Sequence, residues 1–262
     1  MTKPITKPRS DADAGLASID GEWAIQAAGE PIHELLAENL GGGDGVSPFD
    51  LPRISVPTGG GASFMVPGVG GETAEREIEG IILHTRMSRA WYAMSFEEVG
   101  GGHPPDCVSE DGVVGVGALA EKHGTKGEPF LCETCPNSRF GSDRRGGGGQ
   151  DCSSIRPIFL LRRGDLLPVR INVPAGSIRN ARTFLVACTM AGLRYHQVLV
   201  RLGLEKRSQQ NGSLEYAAIT FEIAAPLDPR SRELVDAMRT ALSPMFGRAS
   251  ASEIGKEASG DK

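Results

Sequence analysis

Between residues 79 and 223 the apolar positions recur mostly at the period of a strand, broken once by the period of a helix. Glu79–Phe96 (EGIILHTRMSRAWYAMSF) is β-compatible for most of its length but too long for one straight strand of ordinary size, so it must bend or divide. After a long insertion, Arg156–Arg163 (RPIFLLRR), a turn at Gly164-Asp165 and Leu166–Val173 (LLPVRINV) read as a hairpin. Ser177 predicts the cap of a helix from Ile178 to Leu193, with Ile178, Ala181, Leu185 and Cys188 on one face and Gly192 near its end. Two strands follow. Val198, Val200, Leu202 and Leu204 alternate within Tyr195–Lys206, and a polar loop containing Asn211-Gly212 leads to Leu214–Ile223. Asp228-Pro229 starts a last helix whose apolar stripe is Leu234, Met238 and Leu242.

This order predicts a mainly β, α+β chain: an OB-like five-stranded barrel over residues 51–246 with flanking helices and an inserted segment at about 103–153. An α+β sandwich has the same periodicity. On the barrel assignment the insertion joins strands one and two, and Arg207–Ser213 joins strands four and five; these are the loops with which OB folds grip oligonucleotides. Residues 1–50, poor in β-branched residues and ending near Gly41–Gly43, read as a flexible acidic arm with one short helix from Pro31 to Leu40. Residues 247–262 bury almost nothing and read as a disordered tail.

Composition narrows the setting. No stretch nears the run of about 20 apolar residues that a membrane span needs, and Met1–Ser10 lacks the apolar core of a signal peptide, so the expected location is cytoplasmic with no membrane partner. The net charge of -5 conceals an asymmetry: residues 1–50 carry nine acidic groups against three basic ones, whereas residues 131–182 carry nine arginines against four acids. Such a sign change points to a polyanion partner or to a solvated arginine-rich face.

The five cysteines change the picture further. In a reducing compartment a CxxC is a metal knuckle or a redox pair before it is half of a disulfide framework. Cys132-Glu-Thr-Cys135 supplies two thiolates from one tight turn, as tetrahedral zinc requires. Cys107 (HPPDC) and Cys152 (GGQDC) lie in glycine- and proline-rich sequence that cannot build a core, and there structural zinc is a natural source of order. The expected ligands are Cys107, Cys132, Cys135 and Cys152, with His103 or His123 as possible substitutes for one of them. Cys188, on the apolar stripe of a helix, reads as a core residue. A catalytic zinc deaminase would need an H-x-E element, which is absent, and four thiolates leave no position for an activated water. There is no G-x-x-x-x-G-K-[ST] loop, no G-x-S-x-G elbow and no paired histidine arrangement. The residues give no argument for an enzyme.

A binding surface remains. Single strands are held by a basic groove and by aromatic stacking platforms, and Arg86, Arg89, Trp91, Tyr92 and Phe96 crowd the first strand of a chain with only 5% aromatic residues. By alternation Arg89 and Trp91 share one face, and Arg86, Tyr92 and Phe96 the other. Arg144-Arg145 before a glycine run looks like a flexible backbone-following segment.

The run PPDCVSEDG (Pro104–Gly112), CETCPNSRFGSD (Cys132–Asp143), a glycine-rich spacer, Cys152 and IRPIFLLRRGDLLPVRINVP (Ile155–Pro174) resembles zinc-containing OB-fold single-stranded DNA-binding proteins of phages and mobile elements. These are broadly similar to the helix-destabilising protein of T-even phages. The resemblance covers about Glu79 to Ile223 and implies Zn2+ on the four cysteines. It also implies DNA contacts for the basic and aromatic residues of the barrel: Arg86, Arg89, Trp91, Tyr92, Phe96, Arg139, Arg144, Arg145, Arg162, Arg163, Arg170 and Arg207. A non-catalytic role in DNA replication or recombination follows, with proteins of those processes as further partners. The alternative is a zinc-stabilised protein-interaction adaptor that binds no nucleic acid.

Overall fold

The structure is a computed structural model that describes residues 16–17, 38–39, 51–57, 61–68, 70–94, 105–144, 146, 148–208 and 215–247. In chain order its strands are β1 (Arg53–Ile54), β2 (Phe64–Gly68), β3 (Gly71–Glu75), β4 (Glu77–Thr85), β5 (Ser88–Trp91), β6 (Cys107–Ser109), β7 (Val114–Gly117), β8 (Phe130–Leu131), β9 (Ser153–Leu161), β10 (Val169–Val173), β11 (Val198–Ser208) and β12 (Glu215–Pro226). The helices are α1 (Ala118–His123), α2 (Ala175–Met190) and α3 (Pro229–Gly247). None of them is long and apolar enough to cross a membrane.

Two apolar runs organise the molecule. Ile81-Ile82-Leu83 in β4 and Ile158-Phe159-Leu160-Leu161 in β9 are unbroken by polar residues, which is the pattern of strands covered on both faces. Alternation then sends their side chains into two cores. Ile78, Ile82, Ile158 and Leu160 meet Val200 and Leu202 of β11 beneath Ala181, Phe184 and Cys188 of α2. Ile81, Leu83, Phe159 and Leu161 meet Val235, Met238, Leu242 and Phe246 of α3 on the opposite side. Each such side chain contributes about 1.5–3 kcal/mol when fully buried, so this three-layer region carries its own stability.

The mainly β, α+β reading holds. The long first run divides, as its length required: β4 pairs antiparallel with β9 over Ile158–Leu161, and β5 pairs with the same strand over Ser153–Ile155. The interruption falls at Arg86-Met87. Gly164, at φ +83°, turns the chain from β9 toward β10.

The sheet runs β12-β11-β4-β9-β5-β6-β7-β8, with β10 bound to β9 and to β1, and it is not closed into a barrel. Closure would require β10 to pair with β12. Instead α2 meets the free edge of β12: the Ser177 hydroxyl accepts from the Ile219 amide at 2.9 Å and the Asn180 side-chain amide donates to the Ile219 carbonyl at 2.7 Å. Polar side chains thus satisfy an edge that a neighbouring strand would otherwise take. Ser177 is therefore no helix cap. It lies inside α2, which starts at Ala175 behind Pro174, and is fully buried. Asp228, in contrast, caps α3 as its sequence implied, accepting from the Ser231 amide and hydroxyl at 2.9 and 2.6 Å.

Part of the expected N-terminal arm joins this body. Ala17 bridges Leu227, donating to Pro226 O at 2.8 Å and accepting from the Asp228 amide at 3.0 Å. Glu38 and Asn39 are helical, within the expected Pro31–Leu40 helix. The rest of the arm, the Asn211-Gly212 loop and the tail beyond Gly247 lie outside the described residues.

Candidate metal centre and basic face

The insertion extends the sheet rather than hanging from it. β6 pairs with β5, β7 with β6, and β8 with β7. Tight turns set these registers. Asp111 Oδ1 accepts from the Val113 and Val114 amides at 2.7 and 2.9 Å, and these bonds hold its carboxyl below the usual range. Across the ladder Trp91 lies opposite Cys107, and Cys107 opposite Gly117, so one face of the extension looks toward the thiols. Gly115 leaves little room on that face. A Cβ there would stand 3.1 Å from the Phe130 ring and 3.6 Å from both Cys107 Sγ and Cys132 Sγ.

The CxxC turn is built from backbone and one hydroxyl. The Cys135 amide donates to Cys132 O at 3.3 Å, and the Ser138 hydroxyl donates to the carbonyls of Cys132 and Cys135. Cys152 arrives through its amide, which donates to Asn137 O at 2.8 Å. A second brace ties the loop to β5: Trp91 Nε1 donates to Asp151 Oδ2 at 2.6 Å, and Arg144 Nε donates to Asp151 Oδ1 at 2.9 Å. The Arg144 guanidinium lies 5.4 Å from the Trp91 ring centroid and also donates to the Tyr92 and Ala93 carbonyls.

Cys107, Cys132, Cys135 and Cys152 are all buried, all reduced, and all line one cavity of about 10 Å³, together with Arg89, Leu119 and Phe130. Among the described residues no three His, Cys, Asp or Glu side chains are grouped as metal ligands are, so the four sulfurs share a cavity without a ready-made coordination sphere. The donor chemistry fits zinc. Burial pushes the Cys152 thiol up to about 12, against the pull of Arg89, and raises Cys107 against the pull of the Leu119 and Ala120 amides at the start of α1. Four buried sulfurs, with a cation beside one and two backbone amides beside another, are the kind of donor set that a soft divalent cation takes. His123 is exposed and lines no part of this cavity, while His103 lies outside the described residues. Cys188 is a core residue, as expected.

Several of the expected nucleic-acid residues that the structure describes are engaged by partners within the protein. Arg86 pairs with Glu110 at 3.4 Å, Arg162 with Glu75 at 3.4 Å and Asp165 at 3.8 Å, and Arg207 with Glu205. Arg144 serves Asp151, and Trp91 is half-buried between Arg144 and the Cys107–Leu119–Cys135 cluster. Arg170 is 5% exposed because its neighbours across the ladder, Arg53 and Phe159, place it inside the sheet. The hydroxyl of Tyr92 is sealed from solvent, and burial with Asp106 nearby pushes it up to about 12. Arg139 and Arg163 are exposed, and Phe96 and Arg145 lie outside the described residues.

Two arginines that the sequence reading only counted stand out instead. Arg156 of β9 and Arg182 of α2 lie within each other's field, and neither pairs with an acid among the described residues. Burial and then Arg182 lower the Arg156 guanidinium from its usual range, and its Nε is sealed from water with no partner. Their signal in the sequence was only the absence of an acid at helical or cross-strand spacing. No protein-family model, curated protein or solved structure matches this chain.

Proposed function

We propose that the chain is a cytoplasmic, non-catalytic single-stranded DNA-binding protein of replication or recombination, with its inserted subdomain held by structural zinc on Cys107, Cys132, Cys135 and Cys152. The observation that carries the reading is half-buried Arg156, whose Nε is sealed from water without a partner, with exposed Arg182 in its field and no acid paired to either among the described residues, in a chain of net charge -5. A half-buried guanidinium with a second arginine in its field and no acid beside it suits an anion, and a phosphate diester is one. The strand order supports the same reading. Taken in chain order, β4 with β5, then β9, β10, β11 and β12 lie side by side as third, second, first, fourth, fifth. That is the order of an OB fold opened at one seam, with the insertion in the position of its first binding loop.

The test is anisotropy of a labelled single-stranded oligonucleotide across a salt series, with duplex DNA and single-stranded RNA as competitors. Single-strand preference is expected, and Arg156→Ala and Arg182→Ala should each flatten the slope of log K against log salt by about 0.7. Absence of binding at low salt overturns the reading. A second reading, a protein-interaction adaptor, is favoured by one observation: Val113, Val116, Leu131 and Phe140 of the insertion are exposed, Phe140 by 82%.

A further inference from the structure

We propose that Arg89 is the counter-charge of the thiolate cluster rather than a nucleic-acid contact. The inference rests on the zinc reading of the four cysteines. In β5 Arg89 lies opposite Ser109 of β6 and Ser154 of β9, two residues from Trp91 and on the same face, which is the face that looks toward the thiols. Its side chain lines the cavity with all four cysteines. Its Nη1 is sealed from solvent and has no hydrogen-bond partner, and no acid among the described residues pairs with it.

A charged N–H left unpaired inside a protein is costly, more so than a neutral one, and proteins seldom tolerate it without a partner that is present in the working state. The partner follows from the chemistry of the neighbours. When four thiols take up one divalent cation, their four protons pass to solvent, no atom is oxidised or reduced, and the cluster is left as a dianion. A buried dianion needs charge compensation as much as the guanidinium does. Arg89 N–H donors toward thiolate sulfur satisfy both, and they lower the electron density that sulfur offers the metal.

The experiment begins with the wild-type chain refolded with zinc and assayed for bound metal. Absence of bound zinc in that protein overturns the zinc reading itself. With zinc present, chelator competition should find Arg89→Met binding zinc about 10–100-fold more weakly than wild type, with Arg89→Lys recovering part of the loss. In the cobalt-loaded proteins the sulfur-to-metal charge-transfer band should move to lower energy in Arg89→Met, because a mere packing defect does not remove hydrogen bonds from sulfur. Zinc-loaded Arg89→Met should hold single-stranded DNA as wild type does. An unchanged metal affinity and band in a zinc-binding wild type overturns the inference, and so does a loss of DNA affinity with metal affinity intact. Should Arg89→Met fail to fold, Arg89→Lys and Arg89→Gln carry the same comparison.

Discussion

The two ends of the sheet are stabilised by different means. At the β4–β9–β11 end, apolar side chains fill both faces beneath α2 and α3. At the β6–β7–β8 end, the local cluster is Cys107, Leu119 and Cys135 with half-buried Trp91 and Phe130, and polar joints such as Trp91–Asp151–Arg144 do the rest. The first end is a core in which removing one member leaves many others. The second is a small cluster tied by polar joints, in which the sulfurs are part of the interior and the proposed fastener. One chain thus pairs a region whose stability is spread over area with one that, on the zinc proposal, is fastened at a point.

The sharpest way to break that contrast is at the point. Cys135→Ser is expected to abolish metal binding and to remove the ordering that a structural zinc supplies, on the order of 10–16 kcal/mol in small peptide hosts. Hydrogen exchange should then collapse in residues 105–152 while the amides of α2 stay protected. A metal-free variant with full protection in the insertion would remove the structural role from zinc. Phe159→Ala attacks the other end. Phe159 is 1% exposed and packs on His84 and Phe246 with ring centroids 5.9 and 5.0 Å away. Its truncation should cost about 3–5 kcal/mol of global stability in a denaturant titration and leave zinc affinity unchanged. A smaller effect sharpens the comparison by pH. Burial, then Arg86 and Arg239, lower His84 to about 4 from 6.5, and burial with Arg239 lowers His196 likewise. Both groups bind protons more readily unfolded than folded, so their contribution is complete above about 6.5 and is lost as pH falls toward 4. The denaturation midpoint of the α3 side should drop across that window, and His84→Phe should reduce the drop; an unchanged acid limb would exclude His84 as its source.

Several elements were legible because they depend on neighbours in the chain. The apolar runs in Glu79–Phe96 and Arg156–Arg163 read as strands, the excess length of the first required it to bend or divide, and Asp228 was a local helix start. The CxxC and two outlying cysteines could be named as a set because soft ligands in core-poor sequence have few other uses, and the fold does bring all four to one cavity. Roles that depend on distant partners were not legible. Ser177 has the residue type of a cap, yet its oxygen serves Ile219, 42 residues on. The arginines of the first strand look alike in sequence, but Arg86 meets Glu110 and Arg89 lines the cavity of the thiols, while Arg156 and Arg182 have no acid paired to them among the described residues. Local periodicity and ligand chemistry, encoded residue by residue, thus determined the main strands, the two long helices and the candidate metal set, but not the short strands and helix of the insertion. Which edge α2 plugs, whether the sheet closes and which charges remain uncompensated were decided by tertiary packing, because a hydrogen bond or an ion pair depends on distance in space and not along the chain.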